Sequence, residues 1–331
     1  VPFDVLSVNI GGEPDVRAIP GAALHCIPVK PIGNFCDRLS ALTAMGHPER
    51  LAVIGGGAAG CELALALSRQ WLNATGKRPR ITIFARSARL VPEHPPRAAR
   101  LLYECLTKAG CAVRCGHPVS HIEANRLHLG NDDAHEFDAC FLVTAVAPPA
   151  WLRQTGLELD AAGFIAVDPT LQSRSHPNVF AAGDIATIIG SPRPKAGVYA
   201  VRAGPVLAHN IRRFVAGRRP KSWKPQTRAL AILGTADGRS IGIRGNHASH
   251  SQFWSWLKKW IDRRWMAKYT DLKMASPPAP AAMPGLGKTP DSTDPAFEAM
   301  RCLGCGAKAG HGTLAAAMRE AAEIAVGHGT D

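Results

Sequence analysis

Apolar residues in this chain fall into three patterns, and each predicts a different element. Short unbroken runs, such as "LAVI" at 51–54, "ITIFA" at 81–85 and "ACFLV" at 139–143, read as strands buried on both faces. A run spaced i, i+3, i+4 occurs in "PRAARLLYECLTKAG", where Ala98, Leu101, Leu102, Cys105 and Leu106 share one face of a helix. Alternating or broken runs, "CAVRCG" and "HIEANRLHLG", read as shorter strands joined by polar turns. In order, 49–150 reads strand, glycine turn, helix, strand, helix, strand, then a short β-meander and a last strand. That is a doubly wound nucleotide-binding domain.

The flanks are less regular. Residues 1–48 are loop-rich: "FDVLSVNIGGEP" reads as a strand and glycine turn, "IPVKPIGNF" holds two prolines and is expected to be irregular, and "FCDRLSAL" is helix-like. The opening Val1 falls within a strand pattern, so the natural N-terminus is expected to lie upstream. Residues 151–220 alternate turns and strands ("GFIAVDPTLQSRSHPNVFAAGDIA") before a helix expected to end at Gly217. Residues 221–275 hold strands ("RALAILGT", "SIGIRG") and an aromatic, basic helix over 251–272. A Pro/Ala/Gly-rich linker covers 276–298, and a glycine-rich segment with two cysteines opens 299–331.

Composition changes this picture little. The 331 residues suffice for two domains, and no apolar run reaches the ~18 residues of a membrane span. A net charge of +13 favours anionic partners such as nucleotide phosphates or anionic lipid; no recognised nucleic-acid module accompanies it, so a nucleic-acid role is not expected. The nine cysteines form no regular framework and read as reduced thiols, which points to the cytoplasm.

Chemistry concentrates at a few places. "VIGGGAAG" fits G-x-G-x-x-G with Gly55, Gly57 and Gly60, after a strand and before a helix. Gly55 permits the tight turn, Gly57 lets the backbone approach a pyrophosphate, and Gly60 allows close helix–strand packing. The free N–H groups of the helix N-terminus complete a dinucleotide site. The second strand ends "FARSAR", with no acid for a ribose diol; Arg86 and Arg89 either pair a 2′-phosphate, favouring NADPH, or are solvated.

Further on, "HPNVFAAGDIA" runs a buried strand into Gly183-Asp184, followed by "PKAGVYAVRAGPVLAHNI". Over about residues 1–275 the chain resembles the two-dinucleotide-binding-domain flavoproteins: the pyridine nucleotide-disulfide oxidoreductases and the type II NADH dehydrogenases, with features of the latter. The resemblance implies an α/β fold in which a Rossmann-like NAD(P) domain is inserted into an FAD domain. Gly183 and Asp184 would contact FAD, with Lys195, Gly197 and Ala200 near the flavin ring. It also places the family's first glycine motif before Val1, so that the FAD domain is incomplete and the chain carries half of that site. Residues 143–145, Val-Thr-Ala, depart from the family's usual Gly at the third position. The implied activity is hydride transfer from NAD(P)H to FAD and onward to a quinone-like acceptor, the cofactor carrying the chemistry.

Two readings stand for 251–272. Phe253, Trp254, Leu257, Trp260, Ile261 and Trp265 form one face amid Lys258, Lys259, Arg263, Arg264 and Lys268, the pattern of a helix lying on an anionic membrane, here the inner face of the cell membrane. Alternatively the aromatics pack on the FAD domain or on the partner in a homodimer.

The closing "RCLGCGAKAG" offers Cys302 and Cys305, but only His311 lies near enough to complete a zinc set, and no thioredoxin-like context surrounds them. The segment resembles the N-terminal catalytic motif of selenophosphate synthetase (selenide, water dikinase). By that resemblance Cys305 handles a selenium species and Lys308 lowers its thiol pKa and meets an ATP phosphate. The ATP- and Mg-binding body would lie beyond Asp331, so this chain alone would not make selenophosphate.

Overall fold

The computed structural model describes residues 2–130 and 133–270. At its centre is a five-stranded, all-parallel sheet in the order Ile27–Pro28, Ala139–Leu142, Arg50–Ile54, Arg80–Ala85, Cys111–Cys115. Because side chains alternate along a strand, each strand serves two cores. Leu51 and Val53 join Ile81, Ile83, Leu102, Leu106 and Trp71 on the side covered by helices Ala58–Thr75 and Pro96–Lys108. Ala52 and Ile54 face the other way, onto Phe84, Phe137, Leu127 and Leu129. The last two belong to the inserted meander, a three-stranded antiparallel sheet of Val119–Ile122, Arg126–Leu129 and Ala134–Glu136. Burial on both faces explains why these strands read as unbroken apolar runs.

A second body forms around residues from both ends of this unit. Leu6–Val8 pairs in parallel with Val179–Ala181, and Ile165–Val167 with Ala186–Ile188; helix Gly197–Val215 packs against them through Ala203 and Leu207. Buried Asn210 ties this helix to two loops: its amide donates to the carbonyls of Thr170 and Lys221 at 2.8 Å each and accepts from the Lys221 N–H at 2.8 Å. The doubly wound core interrupting a second α/β body is the architecture expected from the sequence.

Three details differ from the sequence reading. Helix Ile32–Ala44 starts directly after Pro31, so Ile32, Gly33 and Asn34 are helical, not irregular. Proline lacks only an N–H that a helix start leaves unpaired, so it can open a helix although it cannot continue one. The "RALAILGT" strand shortens to Ala231–Gly234. Finally, the six-residue face assigned to 251–272 is divided. Helix Gln252–Thr270 lies on the antiparallel sheet Ala231–Gly234, Ser240–Arg244, His247–Ser251. Trp254 presses on Gly242, where even a methyl group would overlap the indole, and donates from Nε1 to Ser249 Oγ at 2.8 Å. Phe253, Trp256 and Trp260 point outward at 55%, 56% and 45% exposure. A helix docked along one narrow edge cannot turn all six residues to one environment.

That small sheet is part of the unit built on the parallel sheet. Leu233, Ile241, Ile243 and Ala248 share one core with Leu102 and Leu106. Glu62, in the glycine-turn helix, accepts from the Gly234 N–H at 2.6 Å and from Lys258 Nζ at 3.1 Å, while Lys258 also donates to the Ile232 carbonyl at 3.2 Å. No helix among the described residues is long and apolar enough to cross a membrane. Cys305 and Lys308 lie outside the described residues.

Candidate functional site: a glycine turn and a Gly-Asp cleft

The first site sits where Arg50–Ile54 hands over to helix Ala58–Thr75. Gly55 has φ +133°, and a Cβ there would run into the Val143 carbonyl. A Cβ on Gly60 would collide with the Gly55 carbonyl. Both glycines are therefore required by the protein's own packing. Gly57 differs: its φ is −75°, and a Cβ would meet nothing within 4 Å. The protein does not need glycine there; the open space suits a group from outside. Gly57 is the N-cap of the helix, makes no side-chain cap, and the first turn carries no acid, so the leading N–H groups face that space without a competing anion. Beside it, Thr144 Oγ is buried with no hydrogen-bond partner among the described residues. A buried hydroxyl left unpaired next to an uncapped helix start fits a bound dinucleotide.

The two arginines after Arg80–Ala85 do different things. Arg89 donates to the carbonyls of Val91 (3.4 Å), Pro92 (2.7 Å) and His94 (2.8 Å). It thereby braces a loop in which Val91, at φ +40°, holds a conformation unfavourable for a β-branched residue and donates its N–H to Gly56 at 2.9 Å. Arg86 is exposed and makes no hydrogen bond or ion pair among the described residues. It is the cation left available for a ligand.

The second site is a cleft at the start of helix Gly197–Val215. Gly183 (φ +80°) begins the 3-10 turn Gly183–Ile185, which lies against the first helical turn: a Cβ at Gly183 would touch Ala200 Cβ at 3.5 Å. The cleft is lined by Gly183, Asp184, Lys195, Ala196, Tyr199 and Ala200. Gly197 opens the helix, whose N-cap Ala196 offers no side-chain cap. Lys195 is turned inward: Nζ donates to the Ala186 carbonyl at 2.6 Å and to Thr187 Oγ at 2.9 Å and lies 3.9 Å from the centre of the Phe164 ring. Burial pulls its pKa below the usual lysine value, partly opposed by Asp160 and Asp184. An uncapped helix start beside a carboxylate and a buried ammonium fits a polyol chain and an anionic ring.

The structure thus brings Gly183, Asp184, Lys195, Gly197 and Ala200 together, and separately Gly55, Gly57 and Gly60 with Arg86 nearby. Sequence reasoning missed two members. Lys30 pairs with Asp184 at 3.5 Å across 154 positions, and Thr144 reaches the glycine turn from the end of the last strand. Neither carries a local motif; only the topology places them.

Cys61, Cys105, Cys111, Cys115 and Cys140 are not activated thiols. Burial pushes Cys61 up to about 12 and Cys111 up to about 11, and raises Cys105 and Cys115. Cys26 and Cys140 are buried with sulfurs 3.4 Å apart, and that contact together with burial raises Cys140 well above the usual thiol range. Thiols held protonated in this way are poor nucleophiles.

Residues 1–204 match the sequence pattern of the pyridine nucleotide-disulphide oxidoreductases. The chain belongs to that family. Its members are NAD(P)H-dependent flavoprotein oxidoreductases. Among curated relatives, the NADH dehydrogenase-like protein YutJ of Bacillus subtilis is 22% identical over 73% of this chain and 66% of its own length. The type II NADH:quinone oxidoreductase Ndh of Mycobacterium tuberculosis is 26% identical over 68% and 53%. The chain therefore spans about half to two thirds of these relatives. Among solved structures, the sulfide:quinone oxidoreductase of Aquifex aeolicus superposes with TM-score 0.64 at 15% identity, covering 81% of this chain and 69% of that one. An engineered Lactobacillus brevis NADPH oxidase bound to NADPH gives TM-score 0.57 at 20% identity, covering 73% and 52%. These likenesses confirm the fold.

Proposed function

We propose that this protein oxidises NADPH through FAD and passes the electrons to a quinone-like acceptor. The observation that carries the reading is the pairing of two uncapped helix starts, at Gly57 and Gly197, each facing space bordered by groups suited to its ligand. The nicotinamide supplies a hydride and the flavin a two-electron acceptor; neither step needs a protein acid or base. The chain's residues bind and orient. The N–H groups after Gly57 hold the pyrophosphate, Thr144 Oγ gains a partner, and Arg86 pairs the 2′-phosphate. Asp184, steadied by Lys30, accepts hydrogen bonds from the ribityl chain, and the Gly197 helix start with Lys195 favours negative charge on the ring.

The coenzyme choice has support beyond the missing acid. The engineered NADPH oxidase carries Ala-Arg-Ser in place of Asp-Ala-Met at three consecutive positions. Here Ala85, Arg86 and Ser87 follow one another at the end of the second strand. Full-length protein is expected to purify with flavin absorbance near stoichiometry and to bleach anaerobically with NADPH faster than with NADH. Protein purified without flavin, and unable to take it up, would instead make the module a redox-inert scaffold.

For the acceptor, the outward Phe253, Trp256 and Trp260 beside Lys259, Arg263 and Arg264 favour a membrane-borne quinone. Trp256→Ala with Trp260→Ala is expected to weaken binding to anionic phosphatidylserine-containing vesicles by about tenfold or more. Unchanged sedimentation with vesicles, or none by the parent, removes this reading. Residues 299–331 are proposed to begin a selenophosphate synthetase, with Cys305 and Lys308 at its site. Where the flavin's two electrons go to an oxidised selenium species in place of the quinone, the reduced selenium formed would be supplied to that thiol.

A further inference from the structure

The inserted meander carries a side-chain cluster that neither the coenzyme nor the flavin site uses. Pairing between Val119–Ile122 and Arg126–Leu129 runs Val119 opposite Leu129, then His121 opposite His128, leaving Ser120 as an extra residue in a bulge. Bulges re-aim the side chains around them. Here the two imidazoles stack across the strands, ring centres 3.9 Å apart and planes 8° from parallel. Glu123, in the turn between the strands, folds back over both rings: one carboxylate oxygen is 4.0 Å from His121 Nε2 and the other 3.5 Å from His128 Nε2. One ligand atom from each of the three residues lies within 4.8 Å of the other two.

The surrounding hydrogen bonds prepare these atoms as ligands. Ser120 Oγ donates to the His128 carbonyl at 3.1 Å, so toward His121 Nδ1, at 3.3 Å, the same oxygen acts as acceptor. Nδ1 of His121 then carries the proton, and its Nε2 presents a lone pair to Glu123. A ring nitrogen held this way by an outer partner is the usual arrangement of a metal-bound histidine. His128 Nε2 is shielded from solvent and makes no hydrogen bond among the described residues; the Glu123 oxygen 3.5 Å away faces it without bonding it.

From these contacts we infer that His121, Glu123 and His128 bind a divalent transition ion of the zinc class, clasping the hairpin. Two imidazoles and a carboxylate suit a borderline ion and leave a coordination position open to water. Metal–nitrogen bonds of about 2.0–2.1 Å require the three ligand atoms to draw in to roughly 3.3–3.5 Å of one another. The His121 and Glu123 side chains, 47% and 57% exposed, are free to make that movement, with the His121 ring tilting out of the stack so that both in-plane lone pairs meet the ion, while His128, 23% exposed, is the fixed point.

Zinc titration of the full chain against a chromophoric chelator tests this. Cys302→Ser and Cys305→Ser are introduced first so that the tail thiols do not compete. The expected result is one zinc per chain, weakened at least tenfold by His121→Ala or His128→Ala, and about tenfold by Ser120→Ala through loss of the tautomer lock. The unmetallated variants should melt within a few degrees of the parent. If a variant does not fold, NMR of the parent decides: zinc should shift the ring signals of His121 and His128 before those of other histidines. No zinc bound, affinities unchanged within about twofold in the variants, or ring shifts at other histidines would overturn the assignment and leave a plain histidine–carboxylate cluster.

Discussion

Gly57→Ala is expected to leave the fold intact and to weaken NADPH binding about 100-fold, whereas Gly60→Val should unfold the domain's edge before binding can be measured. The contrast rests on what a side chain would meet. At Gly57 the added methyl enters open space at an ordinary φ, so the structural cost is that of a poorer N-cap, below about 1 kcal/mol. The same methyl occupies the space read as the pyrophosphate's and removes one or two charge-assisted hydrogen bonds, at roughly 1.5–3 kcal/mol each. At Gly60 the Cβ lands on the Gly55 carbonyl, a backbone atom pinned by the Gly55 turn. Overpacking there costs about 1–3 kcal/mol or more. Urea midpoints and a coenzyme fluorescence titration separate the two effects. Parent-like NADPH affinity in Gly57→Ala would show that the space belongs to something other than a pyrophosphate.

Arg86→Glu is expected to reverse the coenzyme preference. NADPH affinity should fall by about 100-fold, as a charge-assisted pair becomes a repulsion, while NADH affinity stays within about threefold. Arg89→Ala should behave differently, because that guanidinium is held in place by three loop carbonyls. Loosening the loop around Val91 should lower stability by about 1–2 kcal/mol and weaken both coenzymes alike. Dissociation constants for the two coenzymes, measured on each variant, check this. Equal NADPH and NADH losses in Arg86→Glu would place its side chain away from the 2′-position.

How much of this was legible in the sequence depended on whether the signal was local. The glycine turn with the helix after it, the helix Pro96–Lys108 and the Gly-Asp turn each announce themselves within a short stretch of sequence, because strand–turn–helix geometry imposes its own residue types. Arg86 and Arg89 look equivalent in "FARSAR"; only their hydrogen bonds distinguish a brace from a free cation. Lys30 and Thr144 had no chance of being found locally: Asp184 lies 154 positions from Lys30, and Thr144 meets the Gly55 turn only because the parallel sheet places the two strand ends side by side. The aromatic helix failed for another reason. Helical spacing gives the angles of side chains but not which edge of the stripe docks, and Gly242, an unremarkable residue in a strand, decides that by leaving a slot for Trp254.

The shared core of Leu233, Ile241, Ile243 and Ala248 with Leu102 and Leu106 sets a rule for anyone cutting this gene. The unit built on the parallel sheet is not a segment but three pieces of chain: the strand and helix from 27 to 44, the run from 50 to 142, and the returning sheet from 231 to 251. An expression boundary placed after the last parallel strand would strip helix Pro96–Lys108 of its outer covering and leave a raw apolar flank in water. The Gly-Asp body that separates these pieces is no cassette either: exchanging it would strip the strand Leu6–Val8 of its partner Val179–Ala181, so each body holds the other's ends.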